Sequence, residues 1–275
     1  MRYDPAMRTY RLIVVALLLL TSVGSEVSAN EPPALAKARA LYNAGDFEGA
    51  IDAASVARKD SEWADAAALV VARAHLEQYR QRADSEDLTA ARAALGAVRA
   101  VALTPRDQVD LIVGLGQSLY LSEIYGAAAE LFETALSRAA LLPSRDRLLL
   151  LDWWATALDR EAQSRPADRR LRVFERIAAR MNEEIQRDPG SPVANYWLAV
   201  SARGEGDIDA AWNYAIAAWV RSTLSPETTE KLRDDLERLV AQALIPERSR
   251  TLSRDPQDAV AALKSEWELL KNQWK

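Results

Sequence analysis

Cysteine is absent from all 275 residues, and histidine occurs once, at His75. The first absence excludes disulfides, thiol redox pairs and a lipid anchor on a cysteine at a signal cleavage site. Together the two exclude a His–Cys dyad and a multi-histidine metal cluster. Basic excess is missing as well. Forty acidic residues against 35 basic ones give a formal net charge of −5, the wrong sign for a chain that neutralises phosphates, so nucleic acid is not an expected partner. No alternating apolar–polar stretch of about four to eight residues is found, and strands are therefore not expected. The apolar run from Leu12 to Leu20 is nine residues long, well short of the roughly 20 that cross a bilayer.

What is present is a chain of ordinary globular composition, 49% hydrophobic and 27% charged. Its first residues read as an export signal: Arg2, Arg8 and Arg11 precede Leu12–Leu20, and a polar stretch ends in Val27-Ser28-Ala29. Cleavage is expected after Ala29. Residues 1–29 carry three Arg, one Asp and one Glu, so their removal takes the charge from −5 to −6. The mature protein is expected to be periplasmic or secreted, without a membrane span, and held together by hydrophobic packing alone. From Glu31 onward Ala and Leu recur at spacings of three and four with charged residues between them, the pattern of packed helices. Thr104-Pro105, Ser191-Pro192, Ser225-Pro226 and Asp255-Pro256 each pair a capping side chain with a proline suited to a first helical turn. The fold class is all-α.

The helices repeat. In 109–142, Ile112, Leu115-Gly116, Leu119, Tyr125, Ala128, Phe132 and Ala135 stand at the spacings of a helical hairpin. A second copy starts at Pro192, with Leu198-Ala199, Gly206-Asp207, Ala211, Ala215 and Ala218. A third starts near Glu31, with Ala38, Leu41, Gly45-Asp46-Phe47, Ala50, Ala54 and Ala57. Weaker units cover 65–102 (Ala72, Ala91, Leu95, Val98) and 148–187 (Ala155, Phe174, Ile177, Met181), with stretched connections near Gln81–Asp87 and Ser164–Arg169. In this pattern Gly116 and Ala128 mark where backbones approach, while Leu115 and Phe132 fill the space beside them. The pattern resembles the tetratricopeptide repeat family. That resemblance implies a right-handed α-solenoid of helix hairpins, with about five units over 30–224 and capping helices over 225–275.

The resemblance also implies a ligand surface, because the family's concave face is lined by one side of each hairpin's first helix. Here those positions are Leu35, Arg39 and Tyr42; Leu69, Arg73 and Leu76; Val113, Gln117 and Tyr120; Asp152, Thr156 and Asp159; and Tyr196, Val200 and Arg203. Arg39, Tyr42, Arg73, Gln117, Tyr120, Tyr196 and Arg203 are the expected partner-binding residues. The first three trios suit a peptide carrying an acidic group. The lysine–asparagine clamp of the chaperone-binding members is absent, since Leu35 and Arg39 stand in its place.

The expected function is a non-catalytic exported scaffold for a protein or peptide, needing no cofactor or metal. The alternative is a periplasmic small-ligand or envelope-component binder in which Trp153, Trp154 and Trp197 close over a sugar or lipid-like molecule. Gly114-Leu115-Gly116 lacks the strand and the Gly-Lys-Ser/Thr ending of a phosphate loop and reads as helix packing. Asp152 and Asp159 beside Trp153-Trp154 are the only sequence hint of a glycosidase-like carboxylate pair. His75 reads as structural. The stripe Val260, Leu263, Trp267, Leu270, Trp274 at the carboxyl end is expected to fold back as a cap.

Overall fold

Hairpin turns are set by a few local hydrogen bonds. After α1 (Pro33–Asn43), Gly45 adopts φ 80°, and the Asp46 carboxylate accepts the Gly49 N–H to start α2 (Phe47–Ala57). The same device joins α9 (Pro192–Glu205) to α10 (Ile208–Ser222): Gly206 takes φ 88° and Asp207 caps Ala210 N–H. Between α5 (Pro105–Leu121) and α6 (Tyr125–Leu136) the turn keeps this shape on Glu123, at φ 61°, a left-handed position that glycine usually fills. Thr104 and Ser191 cap α5 and α9 through their hydroxyls, ahead of Pro105 and Pro192.

The computed structural model describes residues 31–224, 229–252 and 256–274; the expected export signal, Ser225-Pro226 and Asp255 lie outside them. The described residues are all-helical, and consecutive helices pack as pairs: α1 with α2, α3 (Ala64–Arg82) with α4 (Ser85–Ala97), α5 with α6, and α9 with α10. Next in order come α7 (Ser144–Gln163) and α8 (Ala167–Arg187), and α8 packs on α9. None of the described helices is long and apolar enough to cross a membrane. The connections expected to be stretched are short instead. The extra residues extend α3, α7 and α8 to 19, 20 and 21 residues, against 11 in α1 and in α2. Added helical turns satisfy their own backbone hydrogen bonds, which a long loop does not.

Two compact units divide the chain inside α7, the first ending at Leu151 and the second starting at Asp152. In the first, alanines make the close approaches: Ala38, Ala50, Ala54, Ala72, Ala91, Ala128 and Ala135 are fully buried. A Cβ on Gly116 would stand 2.5 Å from the Phe132 ring, so the absence of a side chain is what lets α5 and α6 meet. Leu115, expected beside Phe132, is instead 37% exposed. One residue on from a buried helical position, the chain turns by about 100° and faces outward.

In the second unit Gly204 repeats the device, its missing Cβ leaving room for Phe174. The core of this unit gathers Trp212, Trp219, Leu232, Leu236, Val240, Leu244, Leu263 and Trp267. Its helix α11 (Thr229–Leu239) runs on through a wide π turn, Val240–Leu244, into α12 (Ile245–Leu252). Pro246 lacks the N–H that an α-helix needs and crowds the preceding turn, and the wider turn accommodates it. The last helix, α13 (Pro256–Gln273), folds back on this core. Trp267 stacks near Trp212 and Trp219 at ring separations of 6.1 and 5.5 Å and donates its Nε1–H to Glu237 at 3.1 Å.

Candidate functional site

Along the first helices of the first unit, arginines reach forward to aspartates. Arg39 on α1 grips Asp107 on α5 through both terminal nitrogens, at 3.1 and 3.2 Å, and its Nε lies 2.8 Å from Glu31. Arg73 on α3 donates to Asp110 at 3.1 Å and lies over the Tyr42 ring, 4.6 Å from its centre. Arg106 on α5 donates to Asp146 on α7 at 2.9 Å and comes within 3.4 Å of Asp110. The three pairs form a ladder over the face expected to hold a partner.

Burial decides what the ladder can do. Tyr42, Leu35, Leu69, Leu76, Val113 and Gln117 are buried, Arg73 keeps 14% of its side chain exposed and Arg39 24%. Burial pushes the Tyr42 hydroxyl up to about 12, reinforced by Glu77 and Asp110 and opposed by Arg73. Burial is also the largest influence on Arg73, and it acts to release the proton. Tyr42 and the carboxylates Asp110, Asp146 and Glu77 outweigh it, so the guanidinium stays charged. The space beside Arg39, Tyr42, Arg73, Asp107 and Asp110 is about 30 Å³, the room of one water. Arg39 and Arg73 are thus committed to carboxylates of the same chain. The signal was present in sequence, because Asp107 and Asp110 share the first turns of α5, but spacing alone does not say which arginines they face.

The second unit is different. Asp152 accepts the Trp197 Nε1–H at 2.9 Å and lies 3.6 Å from Lys231 Nζ on α11. Tyr196 lies in the field of Asp235, Asp152 and Asp159; burial, then these charges, raise its hydroxyl well above the usual tyrosine range. Asp159 accepts from Gln163 at 3.0 Å, and Asp235 pairs with Arg238. Arg203 makes a forked pair with Glu247 of α12 at 2.6 to 3.1 Å, yet 41% of its side chain remains exposed. Tyr196, Thr156, Val200, Asp152 and Asp159 are half-buried. The seven expected residues therefore separate: Arg39, Tyr42, Arg73, Gln117 and Tyr120 belong to the first unit, while Tyr196 and Arg203 stand on one half-open face of the second. Tyr120 packs edge-on against Tyr125 at 5.2 Å.

Trp154 and Trp197 are buried, and Trp153 is half-buried. His75 bridges α3 to α4 through Asp87 at 3.1 Å, and Arg82 donates to the same carboxylate at 3.0 Å. Among the described residues no group of three or more His, Cys, Asp or Glu side chains is placed to hold a metal ion. No family model, no curated protein and no solved structure matches the chain.

Burial holds the carboxyls of Asp159 and Asp235 above their ordinary range. A carboxyl raised by folding binds its proton more tightly in the native than in the unfolded state. Its contribution to stability is then present below about pH 4, the unfolded value, and is lost as pH rises through the folded one. Asp159→Asn is expected to raise the melting temperature slightly at neutral pH and to have no benefit in acid. Melting curves of both proteins across that range check the sign.

Proposed function

We propose that this chain is an exported, non-catalytic scaffold of tetratricopeptide-like hairpins, stacked with that family's right-handed sense, that holds a protein or peptide partner. The observation that carries the reading is the half-open face of the second unit. There Asp152, Asp159 and Asp235 act together on Tyr196, and burial holds the carboxyls of Asp159 and Asp235 above their ordinary range despite Lys231, Arg238, Arg160 and Arg203. The arginines that favoured an acidic partner are already paired with Asp107 and Asp110. The complementary partner carries lysine or arginine side chains beside an apolar or aromatic one, so that its cations relieve the desolvated carboxylates while Tyr196 and Val200 supply contact area. No cofactor enters this reading. Export rests on Arg2, Arg8, Arg11, the run Leu12–Leu20 and Val27-Ser28-Ala29.

A photo-crosslinking residue placed at Tyr196 in the native host tests the proposal, with the exposed outer position Val56 as the comparison site. Protein adducts are expected at 196 and not at 56, on a chain whose mass begins at Asn30, and competition by a lysine-rich peptide is expected to remove them. Equal labelling at both positions, or none at 196, defeats the reading of the face. A recovered chain that retains Met1–Ala29 defeats the reading of cleavage.

A further inference from the structure

Elsewhere in both units arginines meet carboxylates, as Arg39, Arg73, Arg106 and Arg203 do. The corner between α7 and α8 departs from that economy. Between Glu161 and Arg176 five arginines stand against three acids, in a chain of net charge −5. Four of them, Arg165 from the turn and Arg169, Arg172 and Arg176 from α8, line one groove of about 380 Å³ with Val173. The spacing of three and four residues puts the last three on a single helix face.

Their charge is only partly answered. Arg165 binds Glu161 through two nitrogens at 2.6 and 2.9 Å. Arg172 is 3.8 Å from Asp168, in a pair whose side chains are both more than 70% exposed. Arg176 lies over the Trp154 ring, 5.9 Å from its centre, and is engaged elsewhere as well, so the unanswered charge is that of Arg169 and Arg172. Arg169 has no carboxylate within ion-pair reach among the described residues. Crowded guanidiniums repel one another, and an anion entering the groove reverses that repulsion. Planar forks of N–H donors match the oxygens of a phosphate group, often two bonds at a time. The groove falls in the range of about 300–1,000 Å³ typical of small-ligand sites, and Val173 with the 40% exposed Leu171 adds apolar surface beside the charges.

We propose that the groove formed by Arg165, Arg169, Arg172 and Arg176 binds phosphate-type anions, either on a free phosphorylated molecule or on a lipid headgroup. Calorimetric titration of the full chain with pyrophosphate, at ionic strength matched by chloride, tests the first source. Flotation with vesicles of phosphatidylglycerol and phosphatidylcholine, against phosphatidylcholine alone, tests the second. Saturable binding is expected in one arm and should weaken about tenfold or more in Arg169→Gln/Arg172→Gln, whose side chains are exposed. If the double variant loses helicity, Arg169→Gln alone carries the comparison, since that side chain has no ion pair to lose. Saturation by pyrophosphate assigns a free ligand; binding to anionic vesicles alone assigns the headgroup. No saturation in either arm, or binding unchanged by both variants, overturns the proposal.

Discussion

Replacing Trp267 with alanine is expected to cost about 3–5 kcal/mol of stability, because with Leu263 it enters the core of the second unit from α13 and is the larger of the two side chains. It is 2% exposed and meets the rings of Trp212 and Trp219. Its removal opens a cavity over Leu236, Val240 and Leu244, and it takes from Glu237 one of two donors, leaving Lys271. Denaturant melts should show a lower midpoint, and Trp267→Phe should recover part of the loss by restoring the ring but not the hydrogen bond. A truncation at Arg254 should behave at least as badly and begin to self-associate through the uncovered core. If either change leaves the midpoint where it was, α13 is an appendage and its stripe is free for another use.

The second large effect is expected at Asp110. Arg73 is mostly buried and donates to Asp110, while Arg106 lies within 3.4 Å of the same carboxylate. Asp110→Ala takes from the Arg73 guanidinium its ion-pair partner in a poorly solvated place and leaves it Tyr42 and the more distant Asp146 and Glu77, so the loss should approach that of a broken buried pair, about 3–5 kcal/mol. Arg73→Met/Asp110→Leu removes both charges and should lie much closer to the native stability, since no lone ion remains. The coupling from the four-protein cycle distinguishes a true pair from two independent packing losses. The exposed pair Arg165–Glu161 should give a coupling of about 0–1 kcal/mol in the same measurement. For the same reason, charge reversal at Arg39 and Arg73 is expected to unfold the first unit before it tests any binding surface.

Much of the hairpin order was legible from residue types alone. Thr104, Ser191, Asp46 and Asp207 cap the helices that their spacing foretold, and Gly116 sits against Phe132 where a backbone approach was expected. Each of these is a short-range event, fixed within about one helical turn or one hairpin. Less was legible where two options cost nearly the same locally. Added residues near Gln81 and Ser164 read as loop, but the backbone favoured longer helices. Glu123 carried no turn signal, yet its hairpin closes in the shape that Gly45 and Gly206 set elsewhere. The ion pairs were the least legible, because Arg39 and Asp107 are 68 residues apart. Periodicity places Arg39 on an inner face without saying what it meets, and that pairing leaves Tyr196 and Arg203 as the open positions.

That reach has a consequence for how the first unit comes apart. In a stack where each hairpin touches only its neighbours, hairpins can fray from an end one at a time, like links unhooked in turn. Arg39 skips the second hairpin and fastens the first to the third. Loosening the terminal hairpin therefore also loosens α5, and the intervening α3 is clasped on both sides. The first unit should yield as one block, in a single sharp transition under heat or pulling force, and amide exchange in α1 should be as slow as in α5.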